Sequence, residues 1–295
     1  MSETILITGA SRGLGLAIAR ALDRQGDVAL VLAVRDPAAM TRHLPSFRRP
    51  PRLVRLDVSR LAEVEAFAAS WNEPLAALVN NAGLQVPGPL RLTAEGIETT
   101  LAVNHLAPLA LAMGLRPHLA GGLVLGIGSG THNPANPVAG LFGFRGGRFT
   151  SIAGLAAGEA DGAASLRQQA MDRYATSKLL AMATTVEMAR RDPAVRFACL
   201  DPGLMPGTGL AREAPAPVRL VWSTVLRAAV PLLPDASTPA RSAAAAVRLI
   251  AGGAESGGIY DFTGGPSHRV WSKVREPAFG RQVVDDSLAF LAARR

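Results

Sequence analysis

A glycine-rich turn near the start of the chain restricts the fold more than any other feature of the sequence. Residues 4–8 form a short apolar, β-branched run, and residues 9–15 read Gly-Ala-Ser-Arg-Gly-Leu-Gly before a run with helical spacing of apolar residues. Glycines at this spacing permit a tight turn, close approach of the backbone to a pyrophosphate, and close packing of helix on strand. The helix N-terminus then offers N–H groups and positive potential to the phosphates. The pattern predicts a dinucleotide-binding strand–turn–helix unit.

Strand-like and helix-like runs alternate along the rest of the chain. Strands are predicted at residues 4–8, 28–34, 53–56, 75–79, 123–127, 195–200 and 258–262, and helices at residues 14–22, 61–71, 94–115 and 172–191. Such alternation is typical of a parallel sheet covered by helices on both faces. The sequence therefore predicts an α/β fold, a Rossmann-type doubly wound parallel sheet of about seven strands.

Two segments break this alternation. Residues 130–170 are rich in glycine, and residues 203–239 carry prolines around an apolar stretch. Both are longer than ordinary connections between elements, and core strands flank both. We therefore predict a single domain over residues 1–295 with two insertions near the active site. The helical spacing of apolar residues within 218–233 fits either a core-facing helix or a lid over an apolar substrate.

Composition limits the functions that the chain can have. Its 31 basic and 23 acidic residues give a net charge of +8, but the basic residues are scattered apart from a cluster between positions 42 and 55. Nucleic-acid binding needs a dense basic stripe on one face, so it is not expected. The single cysteine, Cys199, excludes an intramolecular disulfide and fits a reducing compartment.

Membrane insertion, secretion and metal binding are not expected either. No apolar stretch approaches the ~18 residues that span a bilayer, and the first strand begins too early for a signal peptide. The 5 histidines have no metal-ligand spacing. Each is expected on the surface or in packing, with the mouth of the substrate site as an alternative for His132. We expect a cytoplasmic protein with no integral membrane segment.

The residues after the second strand bear on which dinucleotide binds. An acidic residue ~20 positions beyond the turn binds the adenosine ribose, whereas an arginine there accommodates a 2′-phosphate. That position holds Arg35, and Arg12 lies within the turn. Two guanidinium groups suit a phosphate dianion. Asp36 competes for the ribose, because a shift of one residue would place it there. We expect NADP(H) in preference to NAD(H).

Tyr174 and Lys178 stand four residues apart in a predicted helix, so their side chains share one face. A free tyrosine titrates near 10 and exchanges protons poorly at neutral pH, but a neighbouring ammonium favours the phenolate. The chain has only one other tyrosine and one other lysine, which argues against a chance pairing. With Ser129, after the fifth strand, they form a candidate group for proton transfer.

In combination, these motifs resemble the classical short-chain dehydrogenase/reductase family from residue 4 to about residue 262. The resemblance implies four catalytic residues, Asn104, Ser129, Tyr174 and Lys178, of which Asn104 serves a water relay. The predicted cofactor contacts are Gly9, Ser11, Arg12, Gly13, Leu14, Gly15, Arg35, Asp57, Val58, Asn81, Ala82, Gly83, Tyr174, Lys178, Pro202, Gly203 and Thr208.

Within the family, the chain is most similar to the branch of retinol dehydrogenases and light-dependent protochlorophyllide reductase. The Val-Asn-His-Leu sequence at residues 103–106, the Arg-Asp pair at 35–36, and the 45-residue gap between Ser129 and Tyr174 resemble that branch. Leu204 departs from it, because protochlorophyllide reductase has cysteine there. The Asn-Asn-Ala-Gly form of residues 80–83 is a second departure. Both argue against light-driven pigment reduction.

The resemblance implies an oxidoreductase that uses NADP(H) to interconvert a carbonyl and a secondary alcohol. Tyr174 would be the general acid/base, Ser129 would position the carbonyl oxygen, and Lys178 would tune Tyr174 and hold the ribose. Reduction of a polarised C=C bond and a non-catalytic NADP(H) sensor are the alternatives. The resemblance also implies a homo-oligomer.

Apolar residues in both insertions predict the kind of substrate. The first insertion carries Phe142, Phe144 and Phe149, and the second carries the apolar residues of 218–233. Both insertions follow carboxyl ends of strands, where open α/β sheets bind their ligands. We expect a bulky, largely apolar carbonyl compound, with core packing as the alternative role of these side chains.

Overall fold

The computed structural model describes residues 3–160, 165–205 and 235–294. Its strands are β1 (Glu3–Thr8), β2 (Val28–Val34), β3 (Arg52–Arg55), β4 (Ala77–Asn80), β5 (Leu123–Ile127), β6 (Arg196–Asp201) and β7 (Gly258–Asp261). Within the described ranges they form one parallel sheet of seven strands in the order β3-β2-β1-β4-β5-β6-β7. The doubly wound α/β fold predicted from the sequence is confirmed.

The helices are α1 (Gly13–Gln25), α2 (Pro37–Met40), α3 (Leu61–Ala69), α4 (Thr99–Leu101), α5 (Ala107–Leu115), α6 (Pro137–Leu141), α7 (Ile152–Ala157), α8 (Leu166–Arg191), α9 (Pro239–Arg248) and α10 (Pro277–Ala292). A π-helical turn, Ala102–Leu106, joins α4 to α5. Apolar residues of α3, α5, α8 and α10 fill the core on one face of the sheet. Residues of α1 and α9 fill it on the other.

Two predicted helices begin at different residues in the structure, because capping side chains set their starts. The helix predicted from residue 94 begins at Thr99, where the Glu98 carboxylate accepts hydrogen bonds from the N–H groups of Thr100 and Leu101. The helix predicted from residue 172 begins six residues earlier, because Ser165 Oγ accepts from the N–H of Gln168. Each cap satisfies N–H groups that have no partner within the helix.

The order of the strands places a crevice between β1 and β4. β2 and β3 lie on one side of β1 in the sheet, and β4, β5, β6 and β7 follow in order on its other side. Ligands of open α/β sheets bind outside the carboxyl ends of the strands at this reversal. The first predicted insertion contains α6, α7 and the start of α8.

The organisation as one domain with two insertions stays a prediction. Most of the second insertion, residues 206–234, lies outside the described residues, and so do the candidate lid and Thr208. In the ranges that the structure does describe, no helix is both long and apolar enough to cross a membrane.

Candidate active site

One cavity of about 1780 Å³ opens at the carboxyl ends of the strands. Most of the sequence-predicted site residues line it: Gly9, Ser11, Arg12, Gly13, Leu14, Arg35, Asp57, Val58, Asn81, Ala82, Gly83, Ser129, Tyr174, Lys178, Pro202 and Gly203. Gly15 and Asn104 are buried and are not among the residues that line it. The sheet therefore brings together, in one space, side chains that are distant in the sequence.

The glycine turn is held against the loop that follows β4. Gly9 has a φ of +67°, and a Cβ there would come within 2.8 Å of the Ala82 Cα. A Cβ on Gly15 would come within 2.4 Å of Asn81 Nδ2. Asn81 Nδ2 in turn donates to the carbonyl oxygens of Thr8 and Gly9 at 2.9 and 3.2 Å. Gly15, predicted as a cofactor contact, thus acts in this structure by packing on Asn81.

The start of α1 suits an anionic ligand. Arg12 stands at the N-cap position, and its guanidinium cannot accept hydrogen bonds from the N–H groups of the first turn. Those groups and the positive end of the helix are what phosphates bind in such turns. Gly13, the first helical residue, has nothing within 4 Å of where its Cβ would stand. The residues present therefore fit a dinucleotide pyrophosphate.

The structure separates the roles of Arg35 and Asp36 after β2. Asp36 Oδ1 accepts a hydrogen bond from the N–H of Ala39 at 3.0 Å and so caps α2. Arg35 is exposed at the rim of the cavity. Arg42, which the sequence analysis did not single out as a cofactor contact, lines the same end. Three arginines, counting Arg12, therefore surround this end of the cavity.

Asp57 and Val58, predicted to meet the adenine, line the cavity beside these arginines. The Asp57 Oδ1 atom accepts hydrogen bonds from the N–H and the hydroxyl of Ser59, at 3.0 and 2.7 Å. This local turn holds the Asp57 carboxylate in place after β3.

Asn104 lies in the π-helical turn and is buried. Its Oδ1 accepts from the N–H of Leu84 at 2.9 Å, and its Nδ2 donates to the carbonyl oxygen of Leu84 and to Ser177 Oγ at 2.8 and 3.0 Å. The side chain therefore fastens the loop after β4 to α8. π-helical turns expose backbone groups and occur often at functional sites.

Ser129, Tyr174 and Lys178 meet at the centre of the cavity. Ser129 forms a side-chain hydrogen bond with Tyr174. The Lys178 Nζ atom lies 5.7 Å from the centre of the Tyr174 ring and donates to the carbonyl oxygen of Ile127 at 2.7 Å. Tyr174 is 7% exposed and Lys178 is 6% exposed. The predicted proton-transfer group is thus assembled and largely shielded from water.

The expected depression of the Tyr174 pKa is not what the structure gives. Burial raises the pKa of Tyr174 to about 12, which outweighs the hydrogen bond from Ser129 that lowers it. Burial also lowers the pKa of Lys178 to about 8. Loss of hydration disfavours the charged form of both groups, so the pKa of the phenol rises, the pKa of the ammonium falls, and the two values move apart.

Two predicted members of the substrate wall lie elsewhere. Phe149 packs edge-on against Phe279, with 5.4 Å between the ring centres, at the hydrophobic core. His132 is 1% exposed and is not among the lining residues, so the alternative of the substrate mouth is wrong. Phe142 and Phe144 do line the cavity. Only the fold distinguishes these phenylalanines, because they come from one irregular segment without periodicity.

Asp201 is a cavity residue that the sequence analysis missed. It ends β6 directly before Pro202, lines the cavity and is 8% exposed. Burial raises the pKa of Asp201, and the N–H of Gly203, donating at 3.0 Å, acts in the opposite direction. A charged residue ending an apolar strand was the signal that could have found it, since carboxyl strand ends carry the site.

The comparisons with known proteins agree with this geometry. The family model described as short chain dehydrogenase matches residues 3–142. A protochlorophyllide reductase of Avena sativa is 33% identical over 233 residues, which are 71% of this chain and 73% of that protein. The chain belongs to the short-chain dehydrogenase/reductase family. Members of this family are oxidoreductases that bind NAD(P), and the chain falls near the protochlorophyllide reductase-like branch.

Other members of the family match less of their own length. The protochlorophyllide reductase of Pisum sativum is 31% identical over 71% of this chain, but the match covers 57% of that protein. A short chain dehydrogenase of Gibberella zeae is 31% identical over 74% of this chain and 66% of its own length. The chain thus spans about three fifths of the pea reductase.

Solved structures share the fold at low identity. An uncharacterised protein from Mycobacterium paratuberculosis has a TM-score of 0.66 at 24% identity, and the match covers 98% of this chain and 93% of that one. A short-chain dehydrogenase/reductase from Brucella melitensis has a TM-score of 0.62 at 18% identity, over 88% of this chain and 94% of that one. These likenesses support the fold alone.

Proposed function

We propose that this short-chain dehydrogenase/reductase uses NADP(H) to interconvert a carbonyl and a secondary alcohol on a bulky, largely apolar substrate. One observation carries the proposal. The proton-transfer group of Ser129, Tyr174 and Lys178 lines the same cavity as the glycine turn and its arginines. A dinucleotide on the turn and a carbonyl beside Tyr174 would share that space.

The adenosine end of the cavity favours NADP(H) over NAD(H). Arg12, Arg35 and Arg42 surround it, and guanidinium groups bind a phosphate dianion through charge-assisted hydrogen bonds. Asp36, the competing ribose ligand, is engaged as the cap of α2. Two solved neighbours under 25% identical carry NADP, a gluconate 5-dehydrogenase from Beutenbergia cavernae and a short chain dehydrogenase from Shigella flexneri. Those structures support the same cofactor for this chain.

In the reducing direction, NADPH held by the glycine turn would supply the hydride that the carbonyl carbon accepts. Tyr174 Oη gives its proton to the carbonyl oxygen, because its raised pKa keeps the phenol protonated at neutral pH. Ser129 Oγ orients the carbonyl oxygen toward that proton. The charged form of Lys178 stabilises the phenolate that remains, and Lys178 would also hold the ribose of the cofactor. Asn104 holds the loop after β4 against α8 and supports the water through which Tyr174 regains its proton.

The cavity walls beyond Tyr174 suit an apolar substrate. Phe144 lies 6.1 Å from Tyr174 between ring centres, and Phe142, Val138 and Met171 line the cavity with it. Apolar surface buried against such walls contributes about 25 cal/mol per Å². A substrate with a larger apolar body therefore gains binding free energy that a small polar keto acid does not.

Reduction of a polarised C=C bond is the second candidate. It is favoured by the similarity to protochlorophyllide reductases at 31–34% identity. Leu204, after Pro202 and Gly203, departs from the residue expected for that chemistry. Incubation of one α,β-unsaturated ketone with NADPH separates the candidates, because the product is an allylic alcohol in one case and a saturated ketone in the other.

Replacement of Tyr174 by Phe tests the proposed function. The change removes the acid but keeps the ring, so turnover of a bulky ketone should fall by about 10²–10⁴-fold. Binding of NADPH, measured by quenching of protein fluorescence, should stay within about twofold of the wild-type value. Full activity in the Tyr174→Phe variant contradicts the mechanism. Binding of NADPH without turnover of any carbonyl by the wild type indicates the non-catalytic sensor instead.

A further inference from the structure

The carboxyl group of Asp201 is buried at the cavity but has no role in the proposed mechanism. β6 lies between β5 and β7, and Asp201 pairs in register with Asp261 of β7. Its side chain is more than nine-tenths buried, yet it lines the active-site cavity. Carboxyl groups are rarely buried to this extent without a cation or hydrogen-bond donors. The Asp201 carboxyl group therefore needs hydrogen-bond donors or a cation as partners.

The protein satisfies only one of the two oxygens. Oδ1 accepts a hydrogen bond from the N–H of Gly203 at 3.0 Å. Among the described residues, no donor forms a hydrogen bond with Oδ2. The nearby cations bind elsewhere, because Lys178 donates to the carbonyl oxygen of Ile127 and Arg269 is paired with Asp235. One oxygen of a buried carboxyl group is therefore available to a ligand.

The available oxygen lies beside Gly130, the residue that follows Ser129. Asp201 Oδ2 is 3.3 Å from the point where a Cβ on Gly130 would stand. Gly130 directly follows Ser129, whose hydroxyl bonds Tyr174. Because residue 130 has no side chain, the carboxyl group can approach the backbone there. A substrate carbonyl held by Ser129 would thus have Asp201 as a neighbour.

From this geometry we infer that Asp201 Oδ2 accepts a hydrogen bond from a hydroxyl or amino group that the substrate carries next to its reacting carbonyl. The inference rests on the proposed function and narrows its substrate class to apolar compounds with an α-hydroxy or α-amino carbonyl group. A site built to bond a hydroxyl group rejects the analogue that lacks it, because its own polar group then stays unpaired. Asp201 is therefore a specificity-determining residue.

The charges around Asp201 allow a second readout. Tyr174 and Lys178 face it from α8, Cys199 from β6, Asp261 from β7 and Arg269 from the segment after β7. A negative charge on Asp201 raises the pKa of Tyr174. Asp201→Asn removes that charge, so the alkaline limb of the pH–rate profile for alcohol oxidation should move to lower pH.

Acetophenone and α-hydroxyacetophenone make a matched pair for the test, used with wild type, Asp201→Asn and Asp201→Leu. We expect the wild type to bind and reduce the hydroxy ketone about 10- to 100-fold better. Asp201→Leu should bring that ratio close to one, because it removes the oxygen that accepts the hydrogen bond of the hydroxy ketone. Asp261→Asn is the control for the loss of a neighbouring negative charge: Asp261 Oδ1 accepts hydrogen bonds from the N–H and the hydroxyl of Thr263, and the ratio should not change.

Dissociation constants of both ketones in the presence of NADP⁺, measured by calorimetry, separate failure of this inference from failure of the proposed function. A binding preference that Asp201→Leu removes supports the inference even if neither ketone is reduced. Equal binding of both ketones by the wild type overturns it, even if both are reduced. A loss in Asp201→Leu that is the same for both ketones, or that falls on NADPH affinity alone, overturns it as well. Thermal unfolding shows whether each variant is folded. If Asp201→Leu does not fold, the binding preference of Asp201→Asn tests the inference in its place.

Discussion

Tyr174 and Lys178 are both buried, and burial acts on their charged forms in the same way. The pKa of the Tyr174 phenol is raised to about 12, so the phenol holds its proton. The pKa of the Lys178 ammonium is lowered to about 8, so the ammonium loses its proton more easily. A protonated phenol beside a charged lysine is the state that a general acid needs. Under the proposed mechanism, the protonation of these two residues favours reduction near neutral pH.

The lowered pKa of Lys178 predicts a pH dependence of reduction. Below pH about 8 the lysine is charged and stabilises the phenolate that forms as Tyr174 gives up its proton; above it the charge is lost. We expect kcat/KM for ketone reduction to fall as pH rises through about 8. The pH dependence of kcat/KM in Lys273→Met, in which the other lysine is replaced, should show the same fall through pH about 8. A flat profile from pH about 7 to about 10 contradicts the assignment.

Arg35 predicts the choice of cofactor. Arg35→Asp replaces a phosphate partner with a like charge, so NADPH affinity should fall by more than about tenfold while use of NADH holds or improves. Comparison of kcat/KM for the two cofactors measures this. Arg281→Asp, an exposed change on α10, is the control for net charge. The argument from the arginines is wrong if the wild type prefers NADH.

At the scale of elements, the loop after β5 is tied to the segment after β7. His132 Nε2 lies 3.1 Å from the backbone nitrogen of Trp271, and Nδ1 lies 2.7 Å from the carbonyl oxygen of Ser129. An N–H group can only donate, so Nε2 accepts and the proton sits on Nδ1, which donates to Ser129. Asn133 Nδ2 adds a bond to the carbonyl oxygen of Arg269 at 2.9 Å. His132 is thus a positioning residue for Ser129.

Substitutions of His132 separate positioning from folding. His132→Leu removes both bonds, and we expect kcat to fall by roughly tenfold with unchanged NADPH affinity, since a bond of this kind contributes about 1 kcal/mol. His132→Asn can still donate to the Ser129 carbonyl oxygen and should recover most of the kcat. If kcat in the two variants changes in step with the thermal unfolding temperature, and does not depend on which hydrogen bond is kept, the role of His132 is structural only.

For the molecule as a whole, the sheet places charged and apolar side chains in one cavity. Arg12, Arg35 and Arg42 line it together with the glycine turn and the end of β2, and Phe142, Phe144 and Met171 line it together with Tyr174. Residues 206–234, which are most of the second insertion (203–239), lie outside the described residues, so the apolar stretch there remains a candidate lid or core helix by sequence alone. The localisation to the cytoplasm and a homo-oligomeric state likewise stay predictions.

The apolar end predicts the dependence of activity on substrate size. With NADPH fixed, kcat/KM for a series of ketones should rise with apolar surface, at about 25 cal/mol per Å² buried. Phe142→Ala should flatten the series by removing wall area, whereas Phe149→Ala should lower stability without flattening it, because Phe149 packs on Phe279. A small charged keto acid as the best substrate contradicts the apolar wall.

Local patterns in the sequence were sufficient for the fold and most of the site. The bounds predicted for β2 and β5 match the structure, because continuous apolar runs mark strands buried on both faces. The four-residue spacing of Tyr174 and Lys178 settles their shared face, since it depends only on the helix repeat. Helix starts were less certain, since they depend on single caps such as Glu98 and Ser165.

What only the tertiary structure decided depends on contacts between distant elements. The raised pKa of Tyr174, the separate places of Phe144 and Phe149, and the bonds of His132 all arise from residues far away in the chain. Asp201 reads in the sequence as one polar residue after an apolar strand. Its burial beside Gly130, with one oxygen available to a ligand, follows from the pairing of β5 with β6 and from the missing side chain at residue 130. Desolvation and hydrogen bonding act across such contacts, and no periodicity records them.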